Sequence, residues 1–203
     1  MTETLTSPTT GKTLVRAGVW ATTLTRFDEA KPIPVQREFI EVVVFDLRPK
    51  PTSLFGHAAI AIGDIVYSRA PKTYFKGGYR RYLISNTRAP RVNPDGTLER
   101  GRPHRTGVGF LLWVSPRERK LIQDELERRV AEDKPYHLWS NSCSTNVTDV
   151  LELAGIMARD PRGFGEATPV TPAELHGVLK KSNRLVETRI YKKGWEGGAS
   201  ANW

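Results

Sequence analysis

The chain is poor in cysteine: 203 residues contain one, Cys143. A lone cysteine excludes an internal disulfide and a cysteine-rich zinc site, and it fits synthesis in a reducing compartment. Long apolar runs are missing too. None approaches the roughly 18 residues that a membrane-spanning helix needs, so no membrane span is expected. A secretory leader is not expected either. MTETLTSPTTGK is threonine-rich and polar with an early Glu3, and LVRAGVWATTL is broken by Arg16. The expectation is synthesis in the cytoplasm, with some other machine carrying the protein if it acts elsewhere, as in the periplasm of a target cell. Metal and nucleotide signatures are also lacking. There is no HExxH, no H-x-E with a CxxC, no P-loop and no dinucleotide glycine pattern. Neither a metal nor a cofactor is expected. No internal repeat is seen.

What is present in excess is positive charge. The net charge is +9 and the pI about 9.8, which favours acidic partners: nucleic acid, anionic lipid headgroups or a carboxylate-rich wall polymer. The densest basic cluster, Lys72 to Arg81 (KTYFKGGYRR), interleaves aromatics with Lys and Arg. Such a mixture can stack bases. The plainer reading, a solvated loop rim, is taken here, and nucleic acid is not expected as a partner.

The length suits one domain with tails. Residues 1–36 read as an irregular arm, 37–191 as the single catalytic domain and 192–203 as a loose tail rich in Gly and Ser. FIEVVVFDL (Phe39 to Leu47) is a β-branched run and reads as a central strand carrying Asp46. Residues 70–105 hide short strands, with Tyr79 to Ser85 a candidate, or form a flap facing the substrate. Asn93-Pro94-Asp95-Gly96 is a turn. GVGFLLWV (Gly107 to Val114) reads as a buried strand. Ser115, Pro116 and Glu118 then make a capping box with proline at the first helical position, opening a helix to about Glu132. Thr171 to Glu174 repeats the pattern. Leu185 to Tyr191 is the last strand.

Two stretches carry chemistry. In YHLWSNSCSTNVTDVLELAG, Val147, Val150, Leu151 and Ala154 recur at helical spacing, and Gly155 fits the stop. Cys143 therefore sits at or just inside a helix N-terminus, where unpaired N–H groups and the positive end of the macrodipole favour a thiolate. A lowered thiol pKa is expected. In FGHAAIAIGDIVYS, His57 opens an apolar strand, and a Gly63-Asp64 turn leads to a second one, Ile65 to Ser68. An imidazole at the mouth of a buried strand is held firmly enough to act as a base.

Together these stretches resemble the circularly permuted papain-like group within the NlpC/P60 superfamily, which includes lecithin:retinol acyltransferase-like proteins and bacterial amidases. GHAAIAIGDIVY is similar to the family's histidine-bearing strand, its G-D turn and the next strand. YHLWSNSCSTNVTDVLELAG is similar to its Tyr-x-Leu stretch and its cysteine opening a helix. The order, histidine before cysteine, is that of the permuted members. Ser142 stands between Asn141 and the cysteine, where many members have Asn directly before it. The resemblance implies an α+β papain-like fold, with a central antiparallel sheet packed on the helix that bears the cysteine. It also implies a third residue that orients the histidine, either Ser68 or Asp46.

The chemistry expected is acyl transfer to water. His57 takes the Cys143 proton, the thiolate attacks a carbonyl, and the Cys143 N–H helps to hold the oxyanion. Tyr136, Trp139 and Asn141 are candidate substrate-binding residues. The resemblance implies a peptidoglycan amide as the bond cut. A small basic chain of this kind fits an antibacterial effector, carried by a secretion machine and held in check by an immunity protein. The alternatives are a lipid acyltransferase or thioesterase of the same fold, and a basic nucleic-acid-binding module in which Cys143 is structural.

Overall fold

The computed structural model describes residues 4–6, 11, 13–17, 20–23, 36–45, 56–88, 93–97, 105–158, 170–195, 197 and 201–202. Residues Met1–Val35 form one compact unit and Gln36–Trp203 another. The first unit corrects the expectation of an irregular arm. Strands β1 (Thr4–Thr6), β2 (Thr13–Ala17) and β3 (Trp20–Thr23) form an antiparallel sheet in the order β1-β2-β3. Threonine, valine and tryptophan all suit a pleated backbone, and a threonine-rich segment that reads as merely polar is also a strand former.

The second unit is α+β. Its sheet is built from β4 (Glu38–Phe45), β5 (His57–Ile62), β6 (Ile65–Arg69), β7 (Tyr74–Gly78), β8 (Gly107–Val114), β9 (Leu185–Tyr191) and β10 (Ala201–Asn202). The strand order is β10-β9-β8-β4-β5-β6-β7, and every pairing is antiparallel. The two-residue β10 corrects the reading of a wholly loose tail, since Ala201 pairs with Ile190. Strand β4 is central, which explains why it reads as a continuous apolar run and does not alternate. Ile40, Val42 and Val44 face one core, while Val43 and Phe45 face another. Full burial of such a side chain is worth about 1.5–3 kcal/mol.

Three helices cover the first face: α2 (Pro116–Glu132), α3 (Cys143–Leu153) and α4 (Pro172–Leu179). Ile122 and Leu126 of α2, Val147, Val150 and Leu151 of α3, and Leu175 and Leu179 of α4 share one core with Ile60, Phe110 and Leu112. All three helices start at capping boxes, on Ser115, Ser142 and Thr171. Gly155, at φ +68°, ends α3. That left-handed value costs glycine nothing, and it lets the Gly155 and Ile156 N–H groups bond back to Glu152 and Leu151. No helix among the described residues is long and apolar enough to cross a membrane.

The other face carries α1 (Tyr79–Thr87), where Tyr79 to Ser85 was read as a candidate strand. Its buried residues are Tyr82, Leu83, Asn86 and Thr87, four apart in pairs. Tyr82 and Leu83 pack with Val43, Phe45, Ala59 and Val66. Two of the four buried positions are polar, so the apolar signal of a helix is weak here. Their polarity is satisfied locally, by Asn86 Nδ2 to the Tyr82 carbonyl and Thr87 Oγ1 to the Leu83 carbonyl. The turn at Asn93 to Gly96 closes as expected, with Gly96 N–H on the Asn93 carbonyl at 2.9 Å.

Candidate active site

The start of α3 is fixed by reciprocal capping. Ser142 Oγ accepts the Thr145 N–H at 3.2 Å, and Thr145 Oγ1 accepts the Ser142 N–H at 2.7 Å. Such a box satisfies two of the N–H groups a helix leaves orphaned. It makes Cys143 the first helical residue, with 8% of its surface exposed. Helix α3 packs against β5, and the Ala58 backbone N–H donates to the cysteine sulfur. Ala58 follows His57 directly, so the sulfur is tied to the residue next to the imidazole.

His57 is half-buried at the mouth of β5. Its Nε2 lies 2.7 Å from Ser68 Oγ, and Ser68 Oγ lies 2.9 Å from the Tyr82 hydroxyl. The pairing of Ile60 with Tyr67, continued by one step, sets Ala59 opposite Ser68. The ring thus leans diagonally along the sheet over a residue too small to obstruct it. Ser68 is 2% exposed and Tyr82 8%, so this chain of hydroxyls is shielded from competing water.

The thiol departs from the sequence expectation. Burial pushes the Cys143 pKa up, against the opposing pull of the Ala58 N–H, of Ser144 and of the Arg105 charge. Proximity to a helix end favours a thiolate, but removal from water disfavours any charge, and here the second effect wins. Burial thus favours the thiol over the thiolate. Tyr136 is held above the usual phenol range, by burial first and by the neighbouring Cys143 second.

Cys143, His57, Ser68 and Tyr136 line one cavity of about 390 Å³, together with Tyr82 and Arg105. The fold thus brings four of the candidate residues together. Asp46 lies outside the described residues, as does His104. Asn141 does not line this cavity. Its amide Nδ2 bonds the carbonyls of Pro135 (2.8 Å) and Lys134 (3.2 Å) and closes the loop before α3. Trp139 is 53% exposed and lines neither this cavity nor the neighbouring one, which includes Asn141, His137 and Ser140. His137 is exposed, with Nδ1 3.0 Å from Ser140 Oγ. His176 packs edge-on against Phe110, with ring centres 5.1 Å apart. Among the described residues, no group of three or more His, Cys, Asp or Glu is placed to hold a metal ion.

Three cavity residues carried no signal in the sequence. Tyr82 was hidden by the strand reading of its segment. Arg69 and Arg105 are ordinary basic residues by type, and only their burial sets them apart, at 3% and 2% exposed. Arg69 lies next to Ser68, which could have drawn attention to it.

No protein-family model matches the chain, and no curated protein does. Among solved structures, it is similar to the crystal structure of the Type VI secretion system effector TseH. The identity is 18% and the TM-score 0.47, over 77% of this chain and 93% of that one.

Proposed function

We propose that this chain is a cysteine hydrolase of the permuted papain-like kind, cutting an amide bond in peptidoglycan peptides through an acyl-enzyme. The observation that supports it is one cavity lined by both Cys143 and His57, with Ser68 Oγ 2.7 Å from the His57 Nε2. In this reading the Ser68 hydroxyl fixes the ring through Nε2, so Nδ1 is the nitrogen turned to the sulfur. Nδ1 takes the thiol proton as the sulfur attacks the amide carbonyl. Carbon–sulfur bond formation makes a tetrahedral oxyanion, which the Cys143 N–H at the helix end stabilises. Collapse breaks the carbon–nitrogen bond, and the imidazolium gives its proton to the leaving amine. Water then attacks the thioester, with His57 taking a proton from it and returning that proton to the sulfur. Because burial favours the thiol over the thiolate, the base acts in the first step of this reading.

Ser68 is the orienting residue in this proposal. Tyr82 holds the Ser68 hydroxyl in turn, and Tyr136 lines the acyl pocket. The further part of the proposal is biological: an antibacterial effector, delivered by a secretion machine and neutralised by an immunity protein. The net charge of +9 supports a polymer rich in carboxylates as the target. The test is incubation of the purified chain with purified sacculi, with Cys143→Ala beside it. New amine ends from wild type alone support the proposal, and their absence from both overturns it. Periplasmic expression adds a second readout: lysis by wild type and survival with Cys143→Ala.

A further inference from the structure

The basic, aromatic stretch Lys72 to Arg81 plays no part in the proton transfers proposed above, yet one of its rings, Phe75, lines the Cys143 cavity. Phe75 is 39% exposed, unusual for a large apolar side chain. Strand register fixes where it leaves the sheet. It pairs with Ser68 across β7 and β6, and side chains directly opposite share a face, with Cβ atoms about 4.5–5.5 Å apart. The strand of Ser68 lies between those of His57 and Phe75, so Phe75 stands just beyond the hydroxyl bonded to the imidazole.

The ring is held in place. It stacks on Tyr82, with centres 5.5 Å apart and planes inclined by 23°. Near-parallel rings at that separation are offset, so Tyr82 covers only part of Phe75. A Cβ on Gly77 would stand 2.7 Å from Phe75 Cζ, and the glycine thus gives the ring its room. The charge of the stretch does not gather there. Side chains alternate along a strand, and Lys76 turns to the other face, where it pairs with Glu127 of α2 at 2.6 Å. A base-stacking surface needs cations that track the phosphates, and this lysine is engaged elsewhere.

The wall of the cavity indicates what Phe75 could stack on. Among the described lining residues, Phe75, Tyr82 and Tyr136 are aromatic, and none is Val, Leu, Ile or Met. Thr73 and Ser85 add neutral hydroxyls on exposed residues. Ser85 Oγ donates to the Tyr82 carbonyl at 2.8 Å, which leaves its lone pairs to accept. An aromatic face is negatively polarised and attracts C–H groups, while hydroxyls pair with hydroxyls. A pyranose offers both, a face of C–H groups and a rim of hydroxyls. A hydrocarbon side chain offers only the first.

We propose that Phe75, backed by Tyr82, is a stacking platform beside His57 and Ser68 that takes a pyranose ring of the glycan attached to the peptide. The inference rests on the wall-peptide reading of this cavity and adds to it that the substrate still carries its sugar when it is cut.

Saturation-transfer NMR on full-length Cys143→Ala tests this without hydrolysis. The probe is an N-acetylmuramoyl dipeptide without aromatic protons, and irradiation is confined to the aromatic region of the protein. Saturation is expected on the pyranose ring protons. It should be lost in Cys143→Ala with Phe75→Leu, where apolar bulk remains and the ring does not. Saturation confined to the peptide protons, none at all, or an undiminished sugar signal in the leucine variant overturns the proposal. So does displacement of the sugar by a short oligothymidylate, which would make the ring a base platform. If the leucine variant does not fold, Phe75→Tyr keeps the test: its ring should retain the sugar signal, and loss of that signal overturns the stacking. Sugar contact without amine release from sacculi keeps the platform and removes the hydrolase reading. Amine release without sugar contact does the reverse.

Discussion

The Nε2 of His57 and the hydroxyl of Ser68 stand 2.7 Å apart, across adjacent antiparallel strands. Ser68 in turn meets the Tyr82 hydroxyl at 2.9 Å. The imidazole Nε2 is thereby anchored by a hydroxyl with no charge of its own.

Ser68→Ala removes that anchor. A hydrogen bond of this kind is worth about 1–3 kcal/mol, which corresponds to a fall in kcat of roughly tenfold to a hundredfold. Tyr82→Phe should cost less, since Ser68 can still reach Nε2. The measurement is kcat for both variants on a soluble wall peptide. Full activity in Ser68→Ala would remove Ser68 from the orienting role.

The raised thiol pKa sets a second expectation. Without its base, Cys143 should behave as a buried thiol. Labelling of His57→Ala by iodoacetamide should follow a titration above the usual thiol range, because burial holds the proton on the sulfur. Wild type should also label below that range, where His57 takes the proton. Rate–pH profiles that coincide for the two proteins would show that His57 is not the base.

A third expectation concerns Glu41, on the face of the sheet that carries α1. The Glu41 carboxylate is 4% exposed. Oε1 accepts from Tyr79 (2.7 Å) and Tyr191 (2.6 Å), and Oε2 from Arg189 (2.8 Å). A Cβ on Gly109 would stand 2.0 Å from Glu41 Oε1, so this glycine provides the space for the carboxylate. Gly109→Ala should displace the network and cost about 3–5 kcal/mol, the scale for breaking a buried charged pair. Urea unfolding measures it, and a loss under about 1 kcal/mol would contradict the packing argument.

The acid side of stability should follow Glu125. Hydrogen bonds from Arg128 above all, and from Arg129, outweigh burial and hold its pKa down at about 2. A carboxyl depressed in the folded state stabilises above its unfolded pKa, near 4.3, and that contribution is lost as pH falls through the folded value. Glu125→Gln should therefore lower Tm at neutral pH. Its deficit should shrink below about pH 4.5 and close near pH 2. A deficit that does not change with pH would assign the loss to packing alone.

Much of the architecture was legible from local patterns. Ser115, Ser142 and Thr171 are capping residues whose partners lie three positions away, so the chain itself carries the helix starts. The β4, β5, β6, β8 and β9 strands follow from apolar runs between turn residues. The segment Tyr79–Thr87 was misread because half of its buried positions are polar, and periodicity registers only apolar ones. Threonine-rich β1 to β3 were passed over as polar for a similar reason.

For the site, the sequence by itself determined that a single sulfur opens a helix and that an imidazole opens a strand. Both are properties of neighbours along the chain. Only the tertiary structure decided that Ser68 and Tyr82 stand behind the imidazole, that Arg69 and Arg105 are buried at the cavity Cys143 lines, and that burial pushes the thiol pKa up. Those depend on distance and on removal from water. Residue type sets what a side chain can do, but its charge state and its partners follow from which strands and helices meet at one end of the sheet.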